Sequence, residues 1–506
     1  MKAILKNTSR FASVFLIATI LSVPVTLSAR PNVVLFLVDD LGWHDLGCYG
    51  ETWIETPRID EFAQSSVRFT NFYANGAVCS PTRAAIQSGQ YPTRFQLTAH
   101  IPGHYRPFEK VTEPPNAMSM PEEIVTLGET MGQSGYHTGY FGKWHLGKDA
   151  EHQPENQGYQ TVVRTGGSHF APGFRAWTHG VGDSLPSLDS GTERGTYLAD
   201  YLSDLTCDYI QAHQDEEFFV TVAHYGVHIP LQAKRELIDK YEAKAKADPE
   251  DPTHPVYAAM VEHIDQSFGK VLDKLDELEL ASNTIVIFTS DNGALKSRYD
   301  EQGHIVTTNQ PLRDEKGSPY EGGVRIPTLV RWPTESMPGT VCHEPTMSID
   351  FYPTLIEAAE SIGPDQVLDG HSLLPLLRRP GSRLSRETVF WHYPHYHHSR
   401  PSSSVRARDY KLIHFFDDGS VELYNLAEDI GESQNLADVE AELVRDLLQE
   451  LVIWRDETGA LTPYWNERYN PKRAHEWWNK MTLEPLDLSA IHQRIRELPF
   501  DGPKGQ

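Results

Sequence analysis

Four short apolar runs along the chain end abruptly in polar residues. NVVLFLV (32–38) runs into Asp39 and Asp40, and GYHTGYF (135–141) into GKWHLG, which carries Lys143 and His145. FFVTVAHYGVHIP (218–230) leads to His228, and NTIVIFTS (283–290) to Asp291 and Asn292. Unbroken apolar runs of this length predict strands buried on both faces, and amphipathic stretches such as SMPEEIVTLGETMGQSG predict crossover helices between them. The pattern predicts an α/β sandwich with a large, mostly parallel sheet covered by helices. Such sheets bind ligands beyond the carboxyl ends of their strands, where all four polar clusters fall. NGAVCSPTRAAIQSG (75–89) predicts a helix with Pro81 in its first turn and Gly89 at its end. Cys79 then sits at the helix mouth, where backbone N–H groups favour anions.

The C-terminal part has a different rhythm. VRARDYKLIHFF followed by SVELYNL predicts a small antiparallel sheet, and DVEAELVRDLLQELVIWRDE a helix packed on it. The tail TPYWNERYNPKRAHEWWNK is rich in Trp, Tyr and Asn, side chains that suit sugar faces and hydroxyls, or a segment wrapped against the body. At the other end, a basic start with Lys2, Lys6 and Arg10, a short apolar run and small residues at Ser28 and Ala29 predict a secretory signal peptide. The expected organisation is a signal peptide at 1–29, a catalytic domain at 30–377, and a C-terminal subdomain with the aromatic tail at 378–506. The apolar run is too short to span a membrane comfortably.

The formal charge of −25 becomes −28 once the three positive residues of the signal segment are removed. So acidic a chain does not bind nucleic acid through a general basic surface, and an anionic substrate needs a local basic pocket. Exported chains commonly pair their cysteines, which leaves Cys48, Cys207 and Cys342 open to disulfide formation, with one left over.

Asp39, Asp40, Asp291 and Asn292 offer hard oxygen ligands, which suit Ca²⁺ or Mg²⁺ rather than zinc. A capping Asp explains either acidic strand end alone; two such ends favour a metal. Arg83, Lys143 and Lys316 are candidates for holding an anion, and His145 and His228 for moving a proton near neutral pH. The cluster His392, His395, His397 and His398 in WHYPHYHH lacks the spacing of a zinc site and suits contact with substrate or simply with water at the surface. A low-pKa nucleophilic thiol or a disulfide partner would account for Cys79 alone. Neither explains why hard-metal ligands and two lysines should gather around it.

The motifs CSPTR, NVVLFLVDDLGWHDLGCYG, TGYFGKWHLG, TIVIFTSDNG, EKGSPYEGGVRIP and VELYNLAEDIGESQNLA occur in the order and spacing of one family. Through them the chain resembles the type I, formylglycine-dependent sulfatases of the alkaline phosphatase superfamily. The resemblance implies that a formylglycine-generating maturase oxidises Cys79 to 3-oxoalanine (formylglycine), whose hydrate attacks sulfur. It implies one Ca²⁺ held by Asp39, Asp40, Asp291, Asn292 and residue 79. Arg83 would hold the modified residue and the metal site, and Lys143 and Lys316 would clamp the sulfate. His228 with Lys316 would protonate the leaving alkoxide, and His145 would take the proton that releases sulfate. Asp314 and Glu315 depart from the family pattern before Lys316, and would weaken sulfate affinity or contact sugar hydroxyls.

Export, the His/Tyr cluster and the aromatic tail predict a sulfated carbohydrate substrate for an exported bacterial enzyme, periplasmic or secreted. His304, His392, His395 and Arg400 are the expected sugar contacts. A phosphodiesterase or phosphonate hydrolase on the same fold, and a non-catalytic binder of sulfated glycans, are the alternatives.

Overall fold

The computed structural model describes residues 30–171, 173, 193–248, 253–296, 305–497 and 499–502. The segment expected to be a signal peptide lies outside them, as does His304. Among the described residues no helix is long and apolar enough to cross a membrane.

Eight strands form the main sheet: β1 (Asn32–Val38), β2 (Val67–Phe69), β3 (His137–Gly142), β4 (Thr161–Arg164), β5 (Phe218–Ala223), β6 (Thr284–Ser290), β7 (Thr328–Arg331) and β8 (Thr340–Cys342). Their spatial order is β8-β2-β7-β6-β1-β5-β3-β4. β1 lies at the centre, parallel to β5 on one side and β6 on the other, and every residue of these three strands is buried. β3 continues the parallel set, while β7 runs antiparallel to both β6 and β2. The sheet is mostly parallel, as the apolar runs predict.

Alternation along β1 builds a core on each face of the sheet. Val34, Phe36 and Val38 pack with the long helices α4 (Leu198–Ala212) and α6 (Pro255–Glu277), joined by α1 (Pro57–Ala63) and α5 (Arg235–Ala247). Val33, Leu35 and Leu37 pack with α2 (Cys79–Ser88), α3 (Leu127–Gln133) and α7 (Phe351–Ala358). The stretch expected as a long crossover helix is helical only over α3. Thr126 and Glu129 close a reciprocal capping box there and set the start, and Gly135 follows in left-handed backbone at φ 93°.

The C-terminal sheet has four antiparallel strands, β9 (Thr388–Tyr393), β10 (Ser402–Ala407), β11 (Tyr410–Phe415) and β12 (Val421–Asn425). Leu447, Leu451 and Trp454 of α8 (Ala441–Glu457) pack against Phe390, Val405 and Leu412, and the same cluster includes Ala85 of α2 and Tyr91. The subdomain is therefore fused to the helix that carries Cys79. The tail beyond α8 returns to the N-terminal half: Tyr464–Trp465 pairs with Val111–Thr112, and Trp478–Asn479 with His104–Tyr105. Cys48, Cys79, Cys207 and Cys342 are all free thiols, so the disulfides left open by the sequence do not form here.

Candidate active site

The ends of β1, β3 and β6, the loop after β5 and the mouth of α2 meet at one point. β1 delivers Asp39 and Asp40, the second in left-handed backbone at φ 62°. His145, two residues beyond Lys143, is likewise left-handed at φ 69°. Non-glycine residues keep this conformation only where their surroundings enforce it, and such residues gather at functional sites. Lys143 is fixed by its backbone N–H, which donates to Ala223 O at 2.8 Å. Gly142 makes that approach feasible: a Cβ there would lie 1.9 Å from the same carbonyl oxygen.

The side chains form a closed lattice of opposite charges. Lys143 Nζ lies 2.6 Å from Asp39 Oδ2, and Lys316 Nζ 2.6 Å from Asp40 Oδ1. Arg83 donates to Asp291 Oδ2 through Nε at 2.8 Å and to Lys143 O through Nη1 at 2.6 Å. Asn292 Nδ2 donates to Asp40 Oδ1 at 2.7 Å, and Cys79 Sγ to Asp39 Oδ1 at 3.3 Å. His228 Nε2 is 3.7 Å from Asp40 Oδ2. His145 Nε2 is 2.5 Å from Ile101 O. Apart from Lys316, His145 and His228, these side chains are at most 3 % exposed, so water does little to screen them.

Burial sets the protonation states. It pushes Asp291 up to about 6, reinforced by Asp39 nearby. Burial would raise Asp40 too, but Lys316, His228 and Lys143 together hold it well below the usual carboxylate range. Burial and then Lys316 press His228 down to about 3, so its imidazole is neutral. Burial, then Asp291 and Asp39, raise the Cys79 thiol far above its ordinary value, which disfavours the nucleophilic-thiolate reading of this cysteine.

The donor set fits a hard cation. Ligand atoms of Asp39, Asp40, Asp291 and Cys79 lie within 4.8 Å of one another. Asn292 Oδ1 is buried beside them with no hydrogen-bond partner among the described residues, an acceptor that a cation would satisfy. Carboxylates and an amide oxygen match calcium better than a soft metal.

A sulfatase family model matches residues 31–361, and a model of the N-sulphoglucosamine sulphohydrolase C-terminal region matches residues 314–457. The chain is 34 % identical to a sulfatase of Formosa agariphila, over 86 % of this chain and 90 % of that one. It is 31 % identical to human arylsulfatase A, over 85 % and 88 %. The chain belongs to the sulfatase family. This sulfatase is a sulfuric ester hydrolase of the alkaline phosphatase superfamily. Human N-acetylgalactosamine-6-sulfatase is 32 % identical over 72 % of this chain and 68 % of its own. Among solved structures, Ps i-CgsB shares the fold with a TM-score of 0.71 at 24 % identity, covering 93 % of this chain and 98 % of that one.

Of the expected sugar contacts, His304 lies outside the described residues, and His392, His395 and Arg400 are engaged away from this cluster. His392 is drawn inward, with Nδ1 2.5 Å from Ser403 Oγ and Nε2 2.9 Å from Leu461 O. His395 is 1 % exposed and sits between Thr98 Oγ1 at 2.8 Å and Glu113 Oε2 at 3.0 Å. Arg400 pairs with Asp417 and Asp418 and lies over the Phe415 ring. Asp314 accepts from Ser318 Oγ at 2.7 Å, and Glu315 from Lys296 N at 2.7 Å, so both acidic residues before Lys316 already serve as acceptors inside the chain. His100 and His104, which pack against His397 near the Lys316 loop, carried no signal in the sequence; His397 lay in the histidine cluster and Trp477 in the aromatic tail already singled out there.

Proposed function

We propose that this sulfatase removes sulfate from a sulfated carbohydrate, using a formylglycine made from Cys79 by a maturase and one Ca²⁺. The observation that carries the reading is the convergence of Asp39, Asp40, Asp291 and Cys79 within 4.8 Å, flanked by Lys143 and Lys316. The three carboxylates are balanced by Arg83, Lys143 and Lys316, so an added dication leaves an excess of positive charge that suits a sulfate ester. The name of the human N-acetylgalactosamine-6-sulfatase relative supports a sugar substrate. The apolar N-terminal segment supports export.

Asp39, Asp40, Asp291, Asn292 and residue 79 would hold Ca²⁺, which when bound supplies Lewis-acid polarisation of a sulfate oxygen. Formylglycine supplies, as its hydrate, an oxygen nucleophile that an unmodified thiol lacks. Lys143 and Lys316 approach from opposite carboxylates and fix the sulfate oxygens by ion pairing. His228 is neutral beside Lys316. The negative charge of an incoming sulfate ester offsets Lys316 and lets His228, whose Nδ1 is held by Ile229 O at 2.6 Å, take up a second proton at Nε2; that proton passes to the leaving alkoxide beside the Lys316 ammonium. The His145 ring is oriented by Ile101 O, which requires a proton on Nε2 and makes Nδ1 the basic nitrogen of the neutral ring. That nitrogen takes the proton from the residue 79 hydroxyl as sulfate is released.

The test is turnover of sulfated mono- and disaccharides against 4-nitrophenyl sulfate and 4-nitrophenyl phosphate, with matured protein. Cleavage of at least one sugar sulfate with higher kcat/KM than the aryl sulfate is expected. Activity confined to aryl sulfates, or a preference for the phosphate, would overturn the reading.

A further inference from the structure

Beside the Lys316 loop lies a row of rings that the lattice of opposite charges does not use. His398 Nδ1 is 2.6 Å from Lys316 O, and its ring meets His397 edge-on at 4.4 Å. His397 lies 5.3 Å from His104 and 5.6 Å from His100, and His100 and His104 are 4.8 Å apart. Trp477 closes the row, edge-on to His104 at 4.3 Å, with the Arg106 guanidinium 4.1 Å from its ring centre. Gly317 couples the row to the catalytic loop. A Cβ on this residue would lie 2.0 Å from His397 Nδ1, so the imidazole closes directly on the backbone next to Lys316.

The polar atoms here are poorly satisfied. His100 Nδ1, His397 Nδ1 and Arg106 Nε are buried with no hydrogen-bond partner among the described residues. Buried polar atoms are nearly always paired, and three in one small cluster point to partners beyond the described residues, as a bound ligand would supply. Burial presses His104 down to about 3, and burial also takes His100 and His397 well below their ordinary value, so all three rings are neutral. A neutral imidazole offers one donor and one acceptor, which matches sugar hydroxyls, and the ring nitrogens of His100, His104 and His397 do not converge as metal ligands would among the described residues. The far end differs. Arg106, Lys480 and the half-buried Trp477 provide positive charge and an aromatic surface, with Glu109 and Glu113 as the paired counter-charges.

From the ring row and its unpaired atoms we infer that His100, His104 and Trp477 line a subsite for the sugar unit next to the sulfated one, with His397 as its inner wall. The inference rests on the carbohydrate reading above. The wall is assembled by the C-terminal tail: Trp478 and Asn479 pair with Tyr105 and His104, which sets Trp477 against His104. Hydroxyls of the adjoining sugar meet the imidazoles, and an anionic group on that unit faces Arg106. This sulfatase thereby prefers an oligosaccharide to a monosaccharide.

The test uses matured full-length protein with a panel of sulfated disaccharides of the chondroitin, heparin and carrageenan types, their sulfated monosaccharides, and 4-nitrophenyl sulfate. For the best disaccharide, His104→Ala and Trp477→Ala are expected to lower the ratio of its kcat/KM to that for 4-nitrophenyl sulfate at least tenfold, mainly through KM. His104→Gln and Trp477→Phe serve where the alanine variants lose the wild-type melting temperature. An unchanged ratio in folded variants overturns the subsite and leaves the carbohydrate reading intact. A wild-type enzyme that cleaves aryl sulfate but no sugar sulfate overturns that reading and the subsite with it. A wild-type enzyme equally efficient on mono- and disaccharide overturns the subsite alone.

Discussion

Among single residues, His228 carries a specific expectation. A proton donor matters most when the leaving group is poor, so His228→Ala should lower kcat for an alkyl or sugar sulfate by about 10²–10⁴-fold. The loss on 4-nitrophenyl sulfate, whose leaving group needs no proton, should be much smaller. Equal losses on both substrates would mean that His228 acts by some means other than proton donation. Such residues are legible in the sequence where a buried strand ends in a reactive side chain. Asp39, Lys143 and Asp291 follow strands of the buried sheet, so a run of apolar residues and the abrupt change after it locate them without tertiary information. His392 and His395 are not legible in this way. Their partners, Ser403, Leu461, Thr98 and Glu113, come from other parts of the chain, and a cluster of histidines looks the same whether its nitrogens face inward or outward.

At the scale of elements, the two sheets are joined through one buried charge network. Lys411 of β11 is fully buried and lies 2.8 Å from Glu321 and 3.0 Å from Glu432, while Arg325 pairs with Glu321 at 2.6 Å. The strands around it were predictable from their alternation; the network was not, because Lys411 and Glu432 lie 90 and 111 residues from Glu321. Removing one partner of such a network leaves an uncompensated buried charge, so Lys411→Met should destabilise the protein by about 3–5 kcal/mol. Equilibrium urea denaturation measures this. A change below about 1 kcal/mol, the range of an exposed ion pair, would show that the network does not hold the subdomain in place. The tail was the least legible element. Its contacts with residues 104–105 and 111–112 are two-residue pairings, too short to leave any periodicity.

At the scale of the whole molecule, buried neutral histidines set the response to acid. Burial is the leading cause in each: His169 and His395 are pressed down to about 4, and His224, His263 and His392 to about 3. As pH falls below the unfolded value of 6.5, the unfolded chain takes up protons that the folded one refuses. The stability these groups contribute is therefore complete above pH 6.5 and is lost progressively down to about pH 3–4. Each contributes up to about 1.4 kcal/mol per pH unit across that window. Asp45 and Asp291, raised to about 6, and Asp265 and Glu432, raised to about 7, all chiefly by burial, act in the opposite sense over the same range, but these histidines together with His100, His104, His228 and His397 outnumber them. The melting temperature should fall steadily between pH 7.5 and 5. A melting temperature that holds or rises over that interval would contradict the protonation states described here.

On the proposed mechanism Cys79 is a precursor rather than a working thiol, and mass spectrometry of one peptide distinguishes the two. Trypsin releases FTNFYANGAVCSPTR, which runs from Phe69 to Arg83 and carries residue 79. Protein made together with a formylglycine-generating maturase should yield this peptide with the mass of the aldehyde at that position. An unmodified cysteine in protein that nonetheless hydrolyses sulfate esters would mean that catalysis does not run through formylglycine.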